Sequence, residues 1–101
     1  MKQINREQAR KYLGDVSPEQ CFWINNGPII KNLEELANFL PNIDDGIFHH
    51  HVNKDKNDFA AWVNDVIGDR ELAKSLMSAN NRNSVLKNLK IRINSLKKKA
   101  G

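Results

Sequence analysis

Between Ile47 and Gly68 the apolar residues fall into two helical stripes separated by a polar gap. Ile47, Phe48, His51 and Val52 stand at i, i+1, i+4 and i+5 and share one helical face. Asn53 to Lys56 carries no apolar residue, and a second stripe follows with Phe59, Trp62, Val63 and Val66 at i, i+3, i+4 and i+7. Asn57 or Asp58 supplies the acceptor that the free amide hydrogens of the new helix need, and Asp58 also suits the positive end of the helix dipole. Gly68 ends the stripe in the left-handed conformation that glycine adopts cheaply. This helix, tight turn and capped helix hold all three histidines, two of the four phenylalanines and one of the two tryptophans, so the remaining elements are expected to pack around them.

The other elements follow from the same rules. Ile4, Ala9, Tyr12 and Leu13 lie loosely on one side of a first helix over 4–13, with Gly14 as its stop. Ser17-Pro18-Glu19-Gln20 has the serine, proline and glutamine spacing of a one-turn helix. Cys21 to Ile24 and Pro28 to Ile30 flank Asn25-Asn26-Gly27, which predicts a small two-stranded ribbon or an extended loop, with Pro28 at an edge because it has no amide hydrogen. Asn32 with Glu35 forms a capping pattern ahead of Leu33, Leu36, Ala37 and Leu40, and Pro41 ends that helix. Asp44 and Asp45 open the helix that runs to His51 or Val52.

After Gly68, Asp69 caps a helix to about Ala79 that faces Leu72, Ala73 and Leu76 inward. Asn80 to Asn83 reads as a polar break. The last helix, Ser84 to Lys98, puts Leu86, Leu89, Ile93 and Leu96 at heptad-like spacing, opposite Lys87, Ile91, Asn94 and Lys98. The expected fold is all-α or nearly so: five or six short helices, tight corners and one small N-terminal hairpin near 21–31. It is a single domain, in which a body over 1–79 carries a basic amphipathic helix over 80–101.

Charge changes the picture most at that helix. Residues 80–101 hold seven of the sixteen lysines and arginines and none of the twelve acidic residues. The body is therefore slightly acidic and the last helix strongly basic. With 101 residues and a hydrophobic fraction of 40%, the chain can bury a core without staples. The lone Cys21 fits a reducing cytoplasm. Met1 to Leu13 lacks the apolar core of a secretory signal, and no apolar run is long enough to cross a membrane.

Phe48-x-x-His51-Val52-Asn53, then Lys56-Asn57-Asp58-Phe59-Ala60-x-Trp62, then Val66-Ile67-Gly68-Asp69-x-x-Leu72-Ala73 resembles a family of small domains of unknown function found in archaea and bacteria. Upstream, Phe22, Gly27, Asn32, Leu33, Glu35, Leu36, Ala37 and Leu40 match the same pattern. The resemblance covers roughly residues 12 to 76. It implies a fold neighbourhood and no activity.

Chemistry has little to build on. Three consecutive histidines point about 100° apart on a helix and cannot all ligate one metal, and one cysteine supplies no Cys-x-x-Cys pair. His51 is read as a core histidine hydrogen-bonded to the Asn57-Asp58 turn, with His49 and His50 facing solvent. The alternative is a small metal-binding or hydrolytic domain centred on His51, drawing ligands from His50, Asp58, Asp65 or Asp69. Asp58 and Asp69 already have simpler roles as caps. Cys21, between apolar neighbours, is read as a buried inert thiol. No phosphate-binding glycine loop and no Gly-x-Ser-x-Gly elbow occurs, and neither a cofactor nor a metal site is expected.

Trp62 and Phe59 belong to the core stripe. If Phe22 and Ile24 face inward, alternation along the strand turns Trp23 outward, where a partner or a stacked base could use it, unless the first or last helix covers it. The last helix either docks through its apolar seam with its lysines solvated, or also binds a polyanion. The expected function is a non-enzymatic, cytoplasmic binding or adaptor module. It takes nucleic acid, non-specifically, or an acidic protein through Lys87, Lys90, Arg92, Lys97, Lys98 and Lys99, with Trp23 as a second contact. No membrane role is expected. Self-association through the last helix is a further alternative.

Overall fold

The computed structural model describes residues 4–101. Residues 1–3, with which the expected body begins, lie outside the described residues. Among the described residues there are six α-helices: α1 (Arg6–Leu13), α2 (Leu33–Phe39), α3 (Asp45–His51), α4 (Asp58–Trp62), α5 (Arg70–Met77) and α6 (Arg82–Ala100). All but α6 have eight residues or fewer, well below the length at which a helix holds itself together in water.

What sets their starts is one repeated device. Asn5, Asn32, Asp44, Asn57, Asp69 and Asn81 each precede a helix and accept, on the side chain, the amide hydrogen three residues on. Such a cap contributes about 0.5–2 kcal/mol, and in α1 it becomes a full capping box, with Gln8 returning a bond to the Asn5 backbone. Asn81 corrects the expected start of the last helix: the polar stretch before Ser84 contains the cap, so α6 begins at Arg82.

Two antiparallel strand pairs interrupt the helices. In the first, β1 (Phe22–Trp23) pairs with β2 (Ile29–Ile30), in the register Phe22 to Ile30 and Trp23 to Ile29. The Ile24 amide donates to the Pro28 carbonyl at 3.2 Å, so the hydrogen that Pro28 lacks is not needed there. Asn26 takes the left-handed conformation at φ 56°. A Cβ on Gly27 would stand 2.7 Å from Ile24 Cγ2 and 3.3 Å from Phe39 Cζ, so glycine lets the loop press against α2. The second pair, β3 (Val52–Asn53) with β4 (Lys56–Asn57), is what the polar turn becomes, an element the apolar pattern did not foretell.

Beyond Trp62 the chain widens into a π turn over Val63–Ile67, closed by the Gly68 amide donating to the Val63 carbonyl at 2.7 Å. Gly68 lies at φ 90°. The extra residue in that turn rotates Ile67 into the core and leaves Val66 half-buried, which shifts the expected stripe by one.

α6 packs against α1, α2 and α5. Its buried seam is Val85, Leu89, Ile93 and Leu96, not the expected line through Leu86, which is half-buried. Both ends are tied to the body: Arg82 donates to the Ile43 carbonyl, and Arg10 Nε donates to the Ala100 carbonyl at 3.1 Å.

Candidate functional site

The centre of the body is an aromatic cluster in which Phe22 stacks on Phe59 at 5.1 Å and meets Trp62 and His51 edge-on. Trp62 is buried, and its Nε1–H donates to the Gln20 carbonyl at 2.8 Å. His51, also buried, lies 2.9 Å from Asp58 Oδ2 through Nδ1, while Nε2 accepts the Asn25 amide at 3.0 Å. Those partners define the neutral ring with its proton on Nδ1.

Burial pushes the Asp58 carboxyl up. Hydrogen bonds from His51 and Lys56, with the Lys56 charge, outweigh that and hold it below the usual carboxylate range. With Nε2 occupied by a backbone donor, His51 presents no free nitrogen to a metal or a proton acceptor. Among the described residues no three His, Cys, Asp or Glu side chains stand together as a metal cluster. Adding zinc, manganese or nickel should therefore give no saturable rise in the melting temperature, since a ligand that binds only the folded state must stabilise it. A one-to-one rise abolished by His51→Ala would install the metal reading instead. Cys21 is half-buried rather than buried, and its thiol points to the Ser17 carbonyl at 3.6 Å.

The residues expected to meet a partner divide into two groups. Arg92 belongs to the fold: Nε and Nη2 donate to Asp69 at 2.7 and 2.9 Å, and Glu71 lies 3.5 Å from Nη1. The Asp69 hydrogen bonds, against the opposing effect of burial, hold the guanidinium above its ordinary pKa. Asp69 is 1% exposed, and it also caps α5 through the Leu72 amide. The basic helix is thus partly neutralised by the body it docks on. Lys97 is held more loosely, 3.2 Å from Glu34 with both side chains about half exposed, an arrangement worth about 1 kcal/mol at most.

Lys87, Lys90, Lys98 and Lys99 are exposed and make no ion pair with a described residue. At about 100° per residue, Lys87, Ile91, Asn94 and Lys98 fall within about 60° of arc, along about 16 Å of helix, with Lys90 on the flank. Ile91 is 59% exposed at the middle of this stripe. The outward face of α6 therefore carries an apolar side chain between Lys87 and Lys98, with no carboxylate on the helix itself, while Glu71 of α5 lines the surface depression beside Ile91.

Trp23 stands apart on the hairpin, 69% exposed, with Ile29 opposite it at 50%, while Phe22, Ile24 and Ile30 face inward. An open groove of about 610 Å³ between α4 and α5 is lined by Ala60, Ala61, Ala73 and Met77, with Asp65, Arg70 and Lys74 among the polar residues around it. Sequence reasoning did not single out this groove, whereas the face formed by Lys87, Ile91, Asn94 and Lys98 was readable from its i, i+4 and i, i+7 spacing.

No curated protein and no solved structure matches the chain. The model of the family of unknown function DUF5752 matches residues 19–97, which takes in the hairpin, the aromatic cluster and α6 as far as Lys97. That reach passes well beyond the 12–76 stretch of the motif resemblance and places the basic helix within the family's domain. The chain belongs to the family of unknown function DUF5752.

Proposed function

We propose that the protein is a non-enzymatic binding module that holds an acidic protein partner on the outward face of α6. The observation that carries this reading is Ile91, an exposed apolar residue on the same outward helical face as Lys87 and Lys98, two lysines that no described carboxylate pairs with. An apolar centre with a charged rim is the anatomy of a protein interface. Polyanion binding alone has no use for the isoleucine. Self-association through the same face would bring lysine against lysine, a like-charge contact that opposes it. The single thiol, Cys21, supports a reducing, cytoplasmic setting.

A second reading, phosphate-backbone binding, is favoured by the length of the lysine stripe alone. The two separate at Ile91. For an acidic protein, Ile91→Ala should weaken binding about tenfold, the loss of one modest anchor. The triple change Lys87→Gln, Lys90→Gln, Lys98→Gln should abolish capture from native lysate, with or without nuclease. For a nucleic acid, duplex binding should be weak and fall steeply with salt. The triple change should lower its salt slope by about three, and Ile91→Ala should leave it unchanged. Capture that vanishes on nuclease treatment decides for the second reading. Capture that survives the triple change sinks both and moves attention to Trp23 and Ile29.

A further inference from the structure

A buried side chain of α3 hydrogen-bonds the hairpin loop 24–28. His51 Nε2 accepts the Asn25 amide at 3.0 Å, beside the left-handed Asn26. That bond exists only while Nε2 carries a lone pair. A second proton on the ring goes to Nε2, and two N–H groups then face each other across a site in which His51 is 5% exposed. An amide left without its acceptor in such a place must find water or move.

We propose that His51 is a proton-operated latch: protonation of Nε2 breaks its bond to Asn25 and frees the hairpin loop from α3, while the helical body stays folded. The charged groups around the ring shape the response. From α4, Asp58 Oδ2 lies 2.9 Å from Nδ1. From β4, Lys56 Nζ sits 2.9 Å from the same oxygen and draws part of that carboxylate away. From α3 itself, the His50 ring stands edge-on at 5.0 Å and would oppose a second positive charge if it were protonated too. The hairpin side supplies the Phe22 ring and the Asn25 amide, and residues 21–30 contain no charged side chain. Nothing on that side can therefore replace the lost acceptor with a charge. Asp58, held below the usual carboxylate range, stays ionised through the interval in which histidines titrate, about pH 8 to 5, so the Nδ1 contact persists as the Nε2 contact fails.

The freed loop adjoins Trp23, which stays on β1 paired with Ile29. Phe22, Ile24 and Ile30 remain buried, and the Trp62 bond to the Gln20 carbonyl lies outside the loop. Opening is therefore local to the loop tip.

Amide hydrogen exchange and His51 ring shifts, followed by NMR on the intact protein from pH 8 to 5, test this. After correction for the intrinsic pH dependence of exchange, Asn25 should lose about tenfold in protection, the worth of one hydrogen bond. That loss should track the His51 titration, with the α6 amides unchanged. In Asp58→Asn the imidazolium loses its anion, and both the ring titration and the Asn25 transition should move together to lower pH. Three results overturn the latch: Asn25 protection unchanged while the His51 ring titrates, Asn25 protection lost only together with that of α6, or a transition that Asp58→Asn does not move.

Discussion

Replacing Arg92 with alanine is expected to destabilise the protein by about 3–5 kcal/mol, the cost of leaving a buried carboxylate without its partner. Asp69 is nearly sealed from solvent, and its two oxygens take both guanidinium bonds as well as the Leu72 amide. Desolvating that charge is tolerable only while Arg92 is present. The effect should be visible as a large drop in the urea midpoint. Asp69→Asn retains an oxygen for the α5 cap, so the double change Asp69→Asn, Arg92→Met should be much less harmful than the sum of the single changes, because no charge is left stranded. An Arg92→Ala midpoint within about 0.5 kcal/mol of the parent, the range of ordinary surface changes, would mean that the pair does not hold α6 to α5. Arg92 would then return to the set of side chains available to a partner.

Trp62→Ala should cost a similar amount, about 3–5 kcal/mol, against a total of about 5–15 kcal/mol for a domain of this kind. Two losses combine. The cavity lies against Phe22 in the aromatic cluster, and the Gln20 carbonyl loses its donor, so the short turn before β1 is released from the body. Trp23→Ala, one residue along from Phe22 but facing out, should fall within about 0.5 kcal/mol. Denaturant unfolding of the two variants side by side checks the contrast. An unchanged Trp62→Ala midpoint would remove α4 from the centre of the core.

Much of this arrangement was legible along the chain, and the exceptions have physical causes. Asn32 and Asp69 could be read as caps because they stand just ahead of apolar stripes; Asn57 was one of two candidates with Asp58, and Asp44 was legible only as a carboxylate near a helix start. Asn5 and Asn81 were harder because the residues after them are polar, Arg6-Glu7-Gln8 and Arg82-Asn83-Ser84, and the apolar period begins only a turn later. Alternation along Phe22-Trp23-Ile24 left two outcomes open for Trp23, outward or covered by a terminal helix, and the structure shows the outward one. The line through Leu86 differed from the observed seam because leucine outweighs valine in an apolar count, whereas Val85 and Leu89, one helical turn apart, are the pair that the packing direction selects.

The Arg92 pairing was not legible at all. Its partner lies 23 residues away, and each residue has a sufficient local explanation, Asp69 as a cap and Arg92 as part of a basic helix. Only the docking of α6 against the start of α5 brings them together. The π turn was hidden for a related reason: the i to i+5 bond from Gly68 to Val63 leaves a helical stripe nearly intact and shifts it by one residue, from Val66 to Ile67.

The most direct test of the α6 face is site-specific photo-crosslinking, with the reactive side chain placed at Ile91 in one protein and at Trp23 in another, in native lysate treated with nuclease. A defined protein adduct at position 91, absent from the same variant carrying Lys87→Gln, Lys90→Gln and Lys98→Gln and absent at position 23, is the expected result. Adducts at position 23 with none at position 91 would contradict it and place the binding surface on the hairpin.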